Sequence, residues 1–320
     1  MNRKPFLTVI VFAIISTYCA TEILAQSKSD DSENKLTVCL MGDPQLIMVP
    51  ETPEYVGIAM NDLANLDHEF LAVLGDLAQN RAHFYQDYKN LVLNKSKKPV
   101  FSLAGNGDVG AGLEAYKEGT GLPLYYSYYR KGIRFIFLST VSMTGNHKHI
   151  CHLGSEQLSW LSEELASDRH STTILFSHPP VFETTWHSEE RDHLKSPGSM
   201  YLSESAELRK LFDENPNVKV YAHGHLHHSS GSLDEFRRGD YYMEGNVLNI
   251  SVGATANNQG SSFLSIDENE IRVNVRDHAK QEWKDGLEYQ YKLPTSFNGN
   301  DGSEINLDET LINLKKQARR

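Results

Sequence analysis

The stretch LTVCLMGDPQ, residues 36–45, places a polar cluster directly after a run of apolar residues and a glycine. A short apolar run of this kind that ends on glycine predicts a buried strand. In open α/β sheets, ligands bind in the crevice beyond the carboxyl ends of the strands. Asp43 and Gln45 follow the predicted strand at that position, so they are candidate binding residues as well as ordinary turn residues.

The same pattern recurs further along the chain. Each later run ends on residue types that bind metals, in the order FLAVL-Gly75-Asp76, VFSLA-Gly105-Asn106-Gly107-Asp108, TTILFS-His178 and VKVYA-His223-Gly224-His225-Leu226-His227. Any one of these clusters alone is more often only a turn. Together they predict a shared metal site, because the carboxyl ends of neighbouring strands meet at one edge of a sheet.

Length and charge narrow the class of protein. A chain of 320 residues is long enough to bury a large core, and the continuous pattern predicts a single domain over residues 36–294. The formal net charge of −11 argues against a general nucleic-acid-binding protein. Cys39 lies in a predicted core strand, so the cysteines do not suggest a disulfide framework.

The first 25 residues have the pattern of a secretory signal peptide. Arg3 and Lys4 precede an apolar run at residues 6–15, and small or neutral residues follow up to Ala25. Because that run is shorter than the roughly 20 residues that a bilayer needs, we expect cleavage after Ala25 and a secreted or periplasmic protein. No stable membrane span is expected once the signal is removed.

Both flanks of the predicted domain are polar. Residues 26–35 are predicted to be a disordered lead-in. Residues 295–320 are predicted to be a polar C-terminal tail, of which residues 307–320 either form a short amphipathic helix or fray.

The remaining pattern alternates helices with strands. Helices are predicted at residues 54–66, 81–95, 155–168 and 203–213. A hairpin is predicted over residues 125–140, and further strands near 241–243, 247–252, 262–266 and 271–275. Strand-helix units followed by a meander predict an α/β fold of two mixed β-sheets packed face to face and flanked by helices.

In their order, these motifs resemble those of the calcineurin-like metallophosphoesterase superfamily, especially the branch whose first motif is Asp-Pro-Gln. The resemblance covers most of residues 36–276 and implies the same sandwich fold. It also implies two divalent metal ions, for which Mn is favoured and Fe or Zn would also suit oxygen and imidazole ligands. One ion would be held by Asp43, Gln45, Asp76 and His227, and the other by Asp76, Asn106, His178 and His225.

The implied reaction is hydrolysis of a small-molecule phosphomonoester or phosphodiester. A bridging carboxylate such as Asp76 holds two cations roughly 3.5 to 4 Å apart, and a hydroxide shared by them would be the nucleophile. Gln45 supplies a neutral donor where the commoner motif has histidine. Gln45 could instead be a turn residue after Pro44.

Gly107 is the main departure from the family motif Gly-Asn-His-Asp. In the family the histidine faces the substrate and helps to protonate the leaving oxygen, a contribution of typically 10² to 10⁴ in rate. The next residue, Asp108, is either a partner that orients a ligand or a helix-capping residue.

Histidines in two predicted loops are candidate replacements for the missing side chain. They lie within residues 145–152 and 186–193, and loops around a site often carry substrate contacts. His187 is the first choice for an acid or substrate contact, because it follows His178 on the same predicted loop and adjoins Trp186. His223 and His228 are expected to support the ligands.

Three hypotheses follow. The first is an exported phosphoesterase with a binuclear centre. The second is a catalytically impaired binding protein on the same fold, which keeps its metals because metal binding contributes folding free energy. The third is hydrolysis of an ester whose leaving group needs no protonation. The substrate would be set by loops at residues 44–56, 108–124 and 179–200, whose sequences do not indicate it, and the oligomeric state is equally open.

Overall fold

The first strand, β1 (Leu36–Met41), packs against two different layers of apolar residues. Leu36, Val38 and Leu40 join one core cluster, whereas Cys39 and Met41 join another. Successive side chains of a strand point to opposite faces, so a strand that is apolar at nearly every position is buried on both faces. This is why the run predicts a central strand.

The computed structural model describes most of the chain. The described residues are 35–46, 50–144, 150–185, 201–227, 240–293 and 307–318. The predicted signal peptide lies outside them. The residues from Leu36 onward form one compact unit.

Two large sheets organise this unit. In chain order, the strands after β1 are β2 (Phe70–Val73), β3 (Val100–Ser102), β4 (Tyr125–Arg130), β5 (Ile133–Leu138), β6 (Ser142–Thr144), β7 (Ile150–His152), β8 (Thr173–Ser177), β9 (Val218–His223), β10 (Tyr241–Glu244), β11 (Val247–Ser251), β12 (Ser261–Ile266), β13 (Glu270–Asp277), β14 (Glu282–Trp283) and β15 (Tyr289–Lys292). The first sheet has the order β14-β13-β12-β1-β2-β3, with β15 also paired to β13, and the second has the order β10-β11-β9-β8-β5-β4.

Both sheets are mixed. Strands β1, β2 and β3 run parallel, while β12 and β13 add antiparallel pairs. In the second sheet β5, β8, β9 and β11 run parallel, with β4 and β10 antiparallel at the edges. The parallel strands therefore bring their carboxyl ends to a common edge of each sheet, which is where the predicted ligands follow.

Helices flank the two sheets. They are α1 (Thr52–Leu63), α2 (Phe84–Tyr88), α3 (Asn106–Ala111), α4 (Leu113–Thr120), α5 (Ser155–Ser167), α6 (Ser205–Glu214) and α7 (Leu307–Gln317), and a π-helical turn at Lys89–Leu93 continues α2. An aromatic core lies between the sheets, where for example Phe101 stacks on Tyr128 with ring centroids 4.4 Å apart. The prediction of two mixed sheets packed face to face and flanked by helices is confirmed.

The expected loop at residues 108–124 is wrong, because most of it is helical. Helices α3 and α4 occupy it, although glycines at 107, 110 and 112 favour a loop by propensity. The Asp108 carboxylate accepts a hydrogen bond from the Gly105 backbone N–H, 2.9 Å away, and so caps α3. Local capping thus outweighs a weak propensity.

The C-terminal segment adopts the helical alternative of the two that its sequence allowed. Helix α7 places Leu314, which is 6% exposed, in the core between the sheets. Among the described residues, no helix is both long enough and apolar enough to cross a membrane.

Candidate metal centre

Left-handed backbone conformations concentrate at the predicted ligands. The non-glycine residues with positive φ at the strand ends are Asp43 (44°), Gln45 (36°), Asp76 (53°), His225 (71°) and His227 (54°). For an L-residue this conformation costs about 1–2 kcal/mol. Such strain persists only where the surrounding structure imposes it, and it is typical of functional sites.

Glycines at the strand ends allow these loops to approach one another closely. A Cβ atom on Gly75 would lie 2.5 Å from His178 Nδ1, and one on Gly105 would lie 2.3 Å from Asp76 Oδ1. A Cβ atom on Gly224 would lie 2.4 Å from Asp43 Oδ2. These glycines are therefore required by packing around the site and not only by the turns.

One group of side chains gathers around the end of β1. His227 Nε2 lies 3.2 Å from Asp43 Oδ1 and 2.9 Å from Gln45 Nε2. Gln45 Nε2 also donates to Asp76 Oδ2 at 2.8 Å, and its backbone N–H donates to the Asp76 carbonyl oxygen at 2.8 Å. The structure thus brings together the four residues assigned by resemblance to one metal.

A second group surrounds His178 Nε2. Asn106 Oδ1 lies 3.0 Å from this nitrogen, His225 Nδ1 3.1 Å and Asp76 Oδ1 3.3 Å. These are the four residues assigned to the other metal. Asp76 belongs to both groups, with Oδ2 next to Gln45 Nε2 and Oδ1 next to His178 Nε2, so it occupies the position of a shared ligand.

The chemistry of these donor atoms fits a cation. His178 Nδ1 lies 2.8 Å from the Leu74 carbonyl oxygen, which only accepts, so Nδ1 carries a proton and Nε2 is the nitrogen that faces the other candidate ligands. Lone pairs of a carboxylate and an amide oxygen face the same point. A hydrogen bond from the ring nitrogen that faces away from the metal is what orients a metal-binding histidine.

Unpaired buried oxygens give a second sign of fit. Asp43 Oδ1 and Gln45 Oε1 are buried and accept no hydrogen bond from any described residue. Buried polar atoms are rarely left unpaired without a functional reason. Rotating the Gln45 amide by half a turn would exchange its oxygen and nitrogen and face Oε1 toward Asp76 and His227. The described acidic and imidazole groups include one set with metal-ligand spacing, formed by Asp43, Asp76 and His227.

Electrostatics favour ionised Asp43. Burial opposes its ionisation, but His178 and His227 together hold the pKa of Asp43 below the usual carboxyl value. Burial also lowers the pKa of His223 to about 4, so that ring is neutral at pH 7. His223 Nδ1 donates to the Gly224 carbonyl oxygen at 3.0 Å, which supports the turn that leads from β9 to the ligand His225.

Asp108 ties the two ligand loops together. Its carboxylate accepts hydrogen bonds from the backbone N–H groups of Leu77, at 3.1 Å, and Ala78, at 3.0 Å, and from the Tyr85 hydroxyl at 2.7 Å. With the bond from Gly105, it links the loop of Asp76 to the loop of Asn106. Burial and the nearby Asp76 carboxylate raise the pKa of Asp108 to about 6. Asp108 is therefore a helix cap, and its bonds to the backbone of both loops are those expected of a partner that orients ligands.

The histidine candidates for the missing side chain divide into two kinds. Most of the loop residues that the sequence singles out lie outside the described residues. They are Trp186, His187 and the histidines at positions 147, 149, 193 and 228. His152 is described, and its Nδ1 lies 2.6 Å from the Ser203 hydroxyl and 3.5 Å from Glu204 Oε1. His152 is therefore engaged by the start of α6.

Two glutamines near the site escaped the sequence analysis. Gln79 Oε1 approaches Gly107. Gln259 Nε2 donates to the His227 carbonyl oxygen at 2.9 Å, and its Oε1 accepts from Ala254 N–H at 2.7 Å. Gln79 could have been noticed because it lies three residues after Asp76. The sequence around Gln259 contains no motif that would have pointed to it.

A sandwich of two mixed sheets with such a cluster at its strand ends is the architecture of metallophosphoesterases. The chain belongs to the calcineurin-like phosphoesterase family, whose family model matches residues 36–229. A protein of Fibrobacter succinogenes described as a probable cyclic nucleotide phosphodiesterase is 27% identical over 176 residues. That match spans 53% of this chain and only 61% of the relative.

Solved structures share the fold at low identity. A dimetal phosphatase from Danio rerio has a TM-score of 0.59 at 12% identity and covers 82% of this chain and 100% of its own. Purple acid phosphatase PPD1 from yellow lupin has a TM-score of 0.58 at 14% identity, and the match covers 81% of this chain and 54% of the lupin chain. GAP50, the anchor in the inner membrane complex of Plasmodium, has a TM-score of 0.56 at 13% identity, and the match covers 89% of this chain and 95% of the GAP50 chain. These likenesses establish the fold alone.

Proposed function

We propose that this protein is a metal-dependent phosphoesterase that hydrolyses a small phosphomonoester or phosphodiester at the cluster centred on Asp76. The observation that carries the proposal is the sharing of Asp76 between two groups of donor atoms, through Oδ2 on one side and Oδ1 on the other. Two bound divalent ions would act as Lewis acids on the phosphoryl oxygens and activate water for attack.

The residues of the chain have separate tasks in this proposal. Asp43, Gln45 and His227 would hold one ion with Asp76, while Asn106, His178 and His225 would hold the other with Asp76. Mixed oxygen and imidazole donors suit Mn, Fe or Zn, and we favour Mn. Leu74 and Asp108 fix the ligands through the hydrogen bonds described above.

A nucleotide phosphodiester is the first substrate to test. The support is the Fibrobacter succinogenes relative, which is described as a probable cyclic nucleotide phosphodiesterase. The metal-free protein would be supplied with Mn²⁺, Zn²⁺ or Fe²⁺ and assayed on aryl phosphates, 3′,5′-cyclic nucleotides and alkyl diesters. We expect turnover with at least one metal and its loss on chelation. Absence of turnover on every ester with every metal would contradict the proposal.

A binding protein on the same fold is the second candidate. It is favoured by Gly107, which leaves the chain without the histidine of the family motif, and by the shared fold of GAP50, which is described as an anchor. In this case the metals would only stabilise the strand ends. The protein would then bind Mn²⁺ and gain thermal stability from it, yet hydrolyse none of the esters above.

We also propose export to the periplasm or the outside of the cell. The support is the signal-like pattern of residues 1–25. Expression of the full chain in a bacterium with a Sec pathway, followed by N-terminal sequencing, should give a product that begins at Gln26. A cytoplasmic product that retains Arg3 and Lys4 would contradict this proposal.

A further inference from the structure

The space above Gly107 lies beside the bridging carboxylate. A Cβ atom built on Gly107 would lie 3.1 Å from Asp76 Oδ1 and 3.1 Å from Gln79 Oε1. The backbone N–H of Gly107 also donates to Asp76 Oδ1 at 2.6 Å. A side chain at position 107 would therefore compete with the amide of Gln79 for a place at the edge of the metal cluster.

Gln79 has a buried, unpaired end at this place. The residue is half-buried, but its Oε1 is fully buried and has no hydrogen-bond partner among the residues that the structure describes. Buried polar atoms are usually paired. An unpaired amide beside the candidate metal site is therefore available to bind a ligand. The two ends of the amide are interchangeable by rotation, so either the oxygen or the NH₂ group can face the site.

The same loop and helix are matched a second time, one turn further on. A Cβ atom on Gly110 would lie 1.9 Å from Asn80 Oδ1, and the Asn80 N–H donates to the Gly107 carbonyl oxygen at 3.0 Å. Gly107 and Gly110 share one face of α3, and each makes room for one side chain of the loop that follows Asp76. The absence of a side chain at Gly107 thus leaves the space that the amide of Gln79 occupies.

We propose that Gln79 takes the place of the missing histidine, and that its amide NH₂ group donates a hydrogen bond to the phosphoryl group of the substrate. This inference rests on the proposed phosphoesterase function. An amide donates without giving up its proton. In hydrolysis the oxygen of water forms the new bond to phosphorus and releases a proton to solvent. The bond from phosphorus to the leaving oxygen breaks, and that oxygen takes a proton from solvent water. Esters with good leaving groups are therefore the favoured substrates.

Phosphate binding and turnover test the proposal together. Calorimetry would measure inorganic phosphate binding to Mn-loaded wild type, Gln79→Ala, Gln79→Glu and the control Gln86→Ala, whose amide lies on the surface and bonds to Asn90. Hydrogen bonds to charged groups predict a loss of about 10-fold to 100-fold in phosphate affinity and in kcat/KM for Gln79→Ala. Gln79→Glu should lose more, because its charge repels phosphate. Both variants should keep the wild-type metal content.

A double-mutant cycle tests the pairing with Gly107. Gly107→His alone should lose activity because its Cβ meets Asp76 Oδ1 and Gln79 Oε1. Gln79→Ala combined with Gly107→His should recover at least about 10-fold over Gly107→His, since neighbours in contact are not additive. Gly110→Ala, which crowds Asn80 instead, serves as the control for crowding of the same helix and should retain phosphate affinity.

Three results would overturn the inference: wild-type phosphate affinity in Gln79→Ala, loss of metal from Gln79→Ala, or an additive cycle. Metal loss would make Gln79 a ligand instead of a substrate contact. If the wild type hydrolyses no ester, the proposed function fails, and phosphate binding by Gln79→Ala still decides whether the amide contacts a phosphoryl group.

Discussion

The described residues include two buried clusters of charged side chains that differ in one respect, because the carboxylate oxygens are fully paired in only one of them. Beside the first sheet, the Asp62 carboxylate accepts hydrogen bonds from Arg276 Nε at 2.8 Å, Arg276 Nη2 at 3.1 Å and His278 Nδ1 at 2.9 Å. The other ring nitrogen, His278 Nε2, lies 2.9 Å from the Ser261 hydroxyl. None of these residues has a positive φ. At the strand ends, by contrast, Asp43 and Gln45 are left-handed, and their oxygens Asp43 Oδ1 and Gln45 Oε1 accept no hydrogen bond from any described residue.

The difference separates a structural cluster from a functional one. In the Asp62 cluster every carboxylate oxygen is matched by a donor, so the group stabilises the fold and has no remaining capacity for a ligand. In the Asp76 cluster Asp43 Oδ1 and Gln45 Oε1 accept no hydrogen bond from a described residue, which is unfavourable for buried oxygens unless a cation completes them. Three substitutions and one change of pH test this contrast.

Asp76→Asn should have the largest effect on activity. Removing one negative charge from the shared ligand should lower kcat/KM by more than about 100-fold, since loss of a residue that merely orients a ligand already costs 10-fold to 100-fold. Steady-state kinetics and metal analysis would measure it. Asp213→Asn, on the exposed surface of α6, is the matched control and should behave as wild type. Equal activity of the two variants would show that Asp76 is not part of the catalytic site.

Asp62→Asn should affect stability instead of activity. It leaves Arg276 and His278 without their common partner, and breaking a buried ion pair lowers the free energy of unfolding by about 3 kcal/mol. Urea unfolding would measure the loss. The metal content and kcat should stay at the wild-type level at 25 °C, and a variant that lost its metals would show that the two clusters are not independent.

Asp108→Asn should have a smaller effect than either, and on metal affinity. One oxygen of the carboxylate becomes an NH₂ group that faces the N–H groups of Leu77, Ala78 and Gly105. The loops of Asp76 and Asn106 then lose their common anchor, and metal affinity should fall about 10-fold to 100-fold. Titration with Mn²⁺ would show this shift. At saturating Mn²⁺ kcat should largely recover, which distinguishes a positioning role from direct participation in the reaction.

Acid should weaken the Asp62 cluster in a defined range. Burial opposes ionisation of Asp62, but hydrogen bonds from Arg276 and His278 hold its pKa below the usual value. The unfolded state therefore binds the proton more readily, and the stabilisation, complete well above pH 4, is lost as pH falls from about 4 toward the lower folded pKa. Unfolding of wild type and Asp62→Asn between pH 3 and pH 7 should give a difference that shrinks below about pH 4. A difference that is constant with pH would contradict this.

Sequence patterns predict the sheets well because the strands have strong local signals. The runs at β1, β2, β8 and β9 are apolar on both faces and end close to glycine or a polar cluster, so their type and order follow from residue period alone. Helix α3 escaped prediction because its glycines favour a loop, while the capping bonds of Asp108 depend on local geometry that the composition does not show.

The candidate site was only partly predictable for a similar reason. The seven residues assigned by resemblance as ligands do come together, since each follows a strand that ends at the same edge. Gln79 and Gln259 act through contacts across loops, and the sequence distance from Gln259 to His227 gives no hint of them. Tertiary contacts of this kind have no period to detect.

The most direct test of the central claim is a calorimetric titration of the metal-free full chain with Mn²⁺. Because Asp76 is shared between two groups of donor atoms, we predict two bound ions per chain in the wild type, and at most one tightly bound ion in Asp76→Asn. No bound ion in the wild type, or a single ion whose affinity is unchanged in Asp76→Asn, would contradict a centre bridged by Asp76.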